Sequence, residues 1–223
     1  MDYGNMISDA FEYTREALVG KWMRWILLTI VTIIPVVNFI TFGYMMEIYR
    51  GTRPAPELEN WGTLFVDGLK LFIVMLIYMI PVLAIIAIFG GIGVLGMIAS
   101  GDASGNSAMA AGAIASLMGG IFLALIVGLI ISIIAVIGAV RFTRTGSFGE
   151  AFNFSAILET IGRIGWVDYI IALVILFIVL AIVQFVIGLL GVIPVLGWII
   201  GLFITSALVI FEGRYVTLLY DSA

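Results

Sequence analysis

Any chemistry in this chain has to be done without cysteine and without histidine. That removes thiol nucleophiles, iron–sulfur and haem ligation by these residues, the common zinc sites and a histidine general base. Few polar side chains remain in apolar surroundings. Gln184 is the one strongly polar residue inside a long uncharged run, and Asn38 lies in a short interruption, Ile34-Pro35-Val36-Val37-Asn38-Phe39-Ile40. Such groups either line a path for polar solutes or bond one membrane helix to another. Thr205 and Ser206 are weaker candidates, because their hydroxyls can bond back to the preceding turn. Glu47 with Arg50, Asp67 with Lys70, and Glu212 with Arg214 stand at the ends of apolar runs. They suit a charged vestibule or a headgroup site. The competing role is local pairing at a helix end. No nucleotide-binding loop, serine elbow or metal motif is present. Gly90-Gly91-Ile92-Gly93 with Gly96 imitates a dinucleotide signature, but no strand precedes it.

The elements that must position these residues are set by composition. Of 223 residues, 63% are apolar and 11% charged, with a mean hydropathy of +1.26. Soluble domains are nearer half apolar and a quarter charged, so lipid must cover part of this surface. Continuous runs such as Leu71–Gly96 exclude the alternating segments of a membrane barrel. The expected fold is all-α: a polytopic membrane helical bundle of six transmembrane or re-entrant helices, with cytoplasmic interfacial helices. A net charge of −4 argues against nucleic acid as a partner. The polar, acidic stretch Met1–Gly20 does not have the layout of a signal peptide.

Residues 7–20 read as an amphipathic helix, capped by Asp9 with Glu12 three residues on, and with Ile7, Phe11, Thr14 and Leu18 on one face. Lys21, Trp22, Arg24 and Trp25 form a membrane-boundary girdle. Pro56 and Glu57 suit the first turn of a second interfacial helix, with Leu58, Trp61, Phe65 and Leu69 on its apolar face. That helix turns at Asp67-Gly68 into the span Leu69–Phe89, which Pro81 kinks. Gly101–Ser107 reads as a flexible loop. Ile114–Val140 is the next span, and its Ala124, Gly128 and Ser132 form a small-residue stripe. Ser147–Glu150 has the capping-box pattern, predicting a third interfacial helix with Phe148, Phe152, Ser155 and Leu158 on one side. Tyr169–Leu190 and Trp198–Leu219 complete the spans, with a Gly197/Gly201 pair between them.

Charge selects the topology. The gaps Pro35–Asn38, Gly90–Ser116 and Gly191–Gly197 hold no Lys or Arg and a single acid, Asp102. The other segments hold all 10 cations, which marks them as cytoplasmic. A hairpin over Trp22–Arg50 keeps every cation on that side, with both termini cytoplasmic. The chain then reads as one membrane domain with pseudo-repeats over about 7–50, 56–142 and 147–219. The first hairpin is anomalous, because its arms rise only about 18–20 Å at 1.5 Å per residue. It spans only by borrowing flanking residues, and is otherwise re-entrant.

Three segments carry a resemblance. They are Gly43-Tyr44 with Glu47-Ile48-Tyr49-Arg50, Pro56-Glu57-Leu58 with Trp61-Gly62 and Phe65–Lys70, and Arg141-Phe142 with Gly146–Phe152. The chain resembles an archaeal-rich membrane family known as "domain of unknown function 4013". Ala55 stands where that pattern has Leu. The resemblance implies a prokaryotic, archaeal-type plasma-membrane protein and brings no catalytic residue with it.

The expected function is non-enzymatic and cofactor-free: a membrane scaffold, a lipid-organising protein or a complex subunit. Its partners are the bilayer and a homo-oligomer or membrane complex. The alternative is a channel or transporter with a path near the first hairpin, reaching Asn38 or Gln184.

Overall fold

The computed structural model describes residues 1–100 and 107–223, and every regular element among them is helical. In chain order these are α1 (Tyr3–Leu18), α2 (Trp22–Ile33), α3 (Phe39–Tyr49), α4 (Trp61–Ser100), α5 (Ser107–Thr145), a short 3-10 helix (Phe148–Phe152), α6 (Phe154–Ile164), α7 (Trp166–Leu190) and α8 (Leu196–Asp221). The loop expected over Gly101–Ser107, with Asp102, lies outside the described residues apart from Ser107, which opens α5.

Among the described residues, four helical segments are long and apolar enough to cross a membrane: Trp61–Gly96, Ala111–Thr145, Trp166–Leu190 and Leu196–Asp221. The chain is therefore a multi-pass helical membrane protein. α2 and α3 have 12 and 11 residues. They rise about 18 and 16 Å, against roughly 30 Å of hydrocarbon. Six full spans are thus not what the structure shows.

The chain forms two compact units, Met1–Val74 with Val136–Ala223, and Met75–Ala135. In the first, α8 is the common partner of α1, α2, α3 and α7. α1 is capped by Asp2, whose Oδ1 accepts from the Asn5 amide at 2.9 Å, so Asp9 is not the cap. The face α1 buries is Met6, Ala10, Tyr13 and Ala17, whereas Phe11, on the expected apolar face, is 63% exposed. Small side chains at Ala10 and Ala17 let α1 lie close to its neighbours. One face of the expected lipid-facing helix is thus covered by protein, together with Leu18 of the expected apolar stripe, while Phe11 stays exposed.

α3 meets the start of α4 through two glycines. A Cβ at Gly68 would overlap the Phe39 carbonyl oxygen, and one at Gly43 would overlap that of Leu64. Phe39 also packs on Phe65 and Phe72, with ring centroids 5.6 and 5.1 Å apart. The tip of the α2–α3 hairpin therefore lies level with Gly68–Phe72. That is where α4 passes from the charged pair Asp67/Lys70 into its uncharged run. A tip on the far side of a membrane would align near the other end of that run.

Two expected interfacial helices take different forms. Trp61–Lys70 is continuous with the span in α4, so there is no corner at Asp67-Gly68, and Pro56 lies in the preceding loop. Asn60, at φ 52°, starts the helix by accepting from the amides of Thr63 and Leu64. Ser147 makes no side-chain cap. Asn153 caps α6 by accepting from the Ala156 amide at 3.2 Å, and α6 buries Ile157, Thr160, Ile161 and Ile164.

α7 and α8 pair through Tyr215 Oη, which donates to the Ala172 carbonyl at 3.0 Å, and through Gly197, which lies against the Leu190 carbonyl. In the second unit the α4–α5 seam sets Gly93 and Gly96 against Ala113, and Gly120 against Phe89. Of the expected stripe, Ala124 is buried and Gly128 faces Val82, but Ser132 is exposed.

Candidate functional site

Charged residues of the first unit meet in five clusters, most of them joining segments far apart in sequence. Asp9 of α1 accepts from Arg214 Nε of α8 at 2.7 Å and from Arg53 Nη2 at 2.6 Å. The Arg214 guanidinium lies 5.2 Å from the Tyr13 ring centroid, and Tyr13 Oη donates to the Thr52 carbonyl at 2.9 Å. Burial alone would raise the Asp9 carboxyl, but the hydrogen bonds and charge of Arg214 and Arg53 outweigh it and hold it below the usual range. Arg214 is therefore committed to α1. It does not pair with Glu212, as its position two residues away had suggested.

The second cluster does contain the expected partners. Arg50 pairs with Glu47 and, at 2.7 Å, with Asp67, which also accepts from Lys70 Nζ at 3.3 Å. α3 and the first turns of α4 are thereby cross-linked, and Asp67 has this bridging role in place of a corner.

Arg24, placed by sequence in the boundary girdle, is instead 5% exposed. It pairs with Glu57 and donates to the Ala17 carbonyl at 3.1 Å, tying the end of α1 to the loop before α4. The Glu57 carboxyl is held low by this bond. The available signal was spacing, since Arg24 shares the inward face of α2 with Leu28 and Val31. Arg144 donates to the Tyr49 carbonyl and to Asp221 Oδ1, the latter at 2.8 Å. Arg141 pairs with Glu150, whose carboxyl Asn153 and Arg141 hold low.

Asn38 is half-buried at the hairpin tip and makes no side-chain cap. Gln184 is exposed on α7, so it is neither a bond within the bundle nor part of a buried path. Ser206, a weaker candidate from the sequence, lies in a row of hydroxyls inside the bundle, whose members Thr29, Thr32 and Thr41 sequence reading passed over. Thr29 Oγ1 is 3.0 Å from Ser206 Oγ, and Thr32 Oγ1 is 3.4 Å from Thr41 Oγ1. Each of Thr29, Thr32 and Ser206 also bonds back to its own helix, as does Thr205.

Clefts open beside the charges of this base. One, of about 520 Å³, lies between Trp22, Arg24 and Glu57. Another, of about 300 Å³, is lined by Asp9, Glu12, Tyr13, Glu16, Arg53 and Pro54. A third, of about 250 Å³, lies beside Glu47, Glu57 and Glu59. Among the described residues no group of three or more metal-ligating side chains converges. The chemistry this arrangement performs is the neutralisation of two buried cations, Arg24 and Arg214, by carboxylates distant in sequence, with the other pairs partly exposed.

A family model described as "Protein of unknown function (DUF4013)" matches residues 26–192, about three quarters of the chain. The chain belongs to that family. No curated protein and no solved structure matches it.

Proposed function

We propose that this family member is a non-enzymatic membrane protein that organises lipid or scaffolds a membrane complex. It lies in the plasma membrane with both termini cytoplasmic. The observation that carries this reading is the outer face of α2. Trp22, Met23, Ile26, Ile30 and Ile33 are 61, 71, 40, 47 and 45% exposed, at helical spacing, while Arg24, Leu28, Thr29 and Val31 face inward. An exposed apolar stripe on a helix whose hairpin tip lies level with Gly68–Phe72, where α4 becomes uncharged, suits a helix lying in one leaflet. Trp22 stacks on Trp25, with ring centroids 5.6 Å apart, and places aromatic rings at headgroup depth. The base contributes little electrostatic attraction for anionic lipid, because its arginines are already paired. The cation distribution supports the cytoplasmic orientation, and four spans return the C-terminus to the side of the N-terminus. The test is reconstitution into vesicles of graded diameter. The protein should favour the most curved vesicles, and Ile26→Ser with Ile30→Ser should abolish the preference. Equal partition of the unaltered protein at all diameters refutes the reading.

The hydroxyl row between α2, α3 and α8 favours a second reading, a path for a small polar solute. Proteoliposome flux that falls in Thr29→Val and Ser206→Ala would support it. Absence of flux, or flux unchanged by both variants, counts against it.

A further inference from the structure

The inference concerns Gln184, whose amide faces outward from α7. Gln184 lies six residues, or about 9 Å, before the end of α7 and inside its uncharged run. It is exposed, and among the described residues no side chain or carbonyl bonds its amide. α7 turns Tyr169, Ala172 and Leu176 toward the protein and is the least covered of the four long helices, with 11% of its most apolar stretch buried. In hydrocarbon an unsatisfied amide is costly. Its neighbours on the same face, at positions 181 and 188, are Ala181 and Gly188, and a Cβ added at Gly188 would meet nothing within 4 Å. That face is therefore open beside Gln184, with Phe177, 72% exposed, standing on it two turns earlier.

We propose that α7 is the contact face for a second copy of this chain, and that Gln184 bonds Gln184 of the other copy across a two-fold axis along the membrane normal. The choice of occupant follows from the chemistry of the amide. It carries both a donor NH₂ and an acceptor carbonyl, so two identical side chains at one depth satisfy each other. Two copies inserted in the same orientation bring α7 beside α7 in parallel and place the two amides at the same level. Lipid tails offer neither donor nor acceptor. The proposal is independent of whether the protein organises lipid, since it rests on α7 and not on α2.

The natural chain has no cysteine, so single-cysteine variants need no altered background. Ala181→Cys and Gly188→Cys should form disulfide-linked dimers in proteoliposomes, whereas Ile178→Cys and Ile182→Cys, on other faces of α7, should not. Resonance energy transfer between labelled copies should show Gln184→Leu weakening association about three- to tenfold, with Gln184→Asn retaining most of it. Leucine is compatible with a lipid-exposed position, so the variant tests contact and not folding. A monomer at all protein-to-lipid ratios, a dimer indifferent to Gln184→Leu, or cross-linking that favours positions 178 and 182 overturns the proposal.

Discussion

Asp9 and Arg214 lie 205 residues apart in sequence, yet the carboxylate of one accepts from the guanidinium Nε of the other at 2.7 Å. The Arg214 side chain is 7% exposed, so the pair locks α1 against α8 at a position where an unpaired cation is expensive. Asp9→Asn should lower stability by about 2 kcal/mol, and hydrogen exchange should show residues of α1 losing protection before those of α7. Uniform loss across the chain would mean that α1 is not separately latched.

The α3–α4 crossing should be intolerant of a single methyl group. Gly68→Ala sets a Cβ against the Phe39 carbonyl oxygen, backbone against backbone, where no side chain can rotate away. The expected cost is about 3 kcal/mol, the upper part of the range for overpacking. Gly62→Ala, with nothing within 4 Å of its Cβ, is the matched control. Thermal unfolding in detergent should separate the two variants clearly.

Acid should loosen the base. Asp9, Glu57 and Glu150 have carboxyls held below their ordinary values. A depressed carboxyl contributes stability that is present above the unfolded pKa, near 4, and is lost as pH falls through the folded value. Unfolding temperature should therefore be flat from about pH 7 to 5 and fall below about pH 4. Asp9→Asn should make that fall shallower. An equal fall in Asp9→Asn would assign the acid response to other groups.

The level of the α2–α3 tip predicts an asymmetric labelling pattern. A cysteine at Val36 or Val37 should be reached by a membrane-impermeant reagent only from the side that holds α1, or from neither side. Labelling from the opposite side alone would restore the spanning hairpin.

Membrane class, helical content and the long spans were legible because uncharged runs of this length have one solution in lipid. The short arms of the first hairpin were also legible, from residue counts alone. The face of α1 was not. Two stripes satisfy the helical period, Ile7/Phe11/Thr14/Leu18 and Met6/Ala10/Tyr13/Ala17, and the first is the more apolar. The structure buries most of the second, because two alanines permit a close approach that hydrophobicity does not score. The partner of Arg214 was hidden for a related reason. Local spacing offered Glu212, whereas the bond is set by tertiary packing. Asp67-Gly68 looked like a turn because glycine often marks one, but here glycine makes room for a carbonyl from α3. Gln184 stands out in sequence as the polar exception in its span, but that it points away from the protein is set by which face of α7 packs, Tyr169, Ala172 and Leu176.

The partnership of α1 with α8 also sets an order of events during synthesis. α1 leaves the ribosome long before Arg214 exists. At roughly 5–20 residues per second its buried face waits on the order of 10–40 seconds for its cover. Throughout that interval α1 lacks α8, its main partner, although Tyr13 can already bond the Thr52 carbonyl and pack with Leu28, Tyr44 and Ile48. Arrival of the last helix then brings Arg214 to Asp9 and closes α1 against α8, so that only a chain translated past Arg214 acquires this last pair.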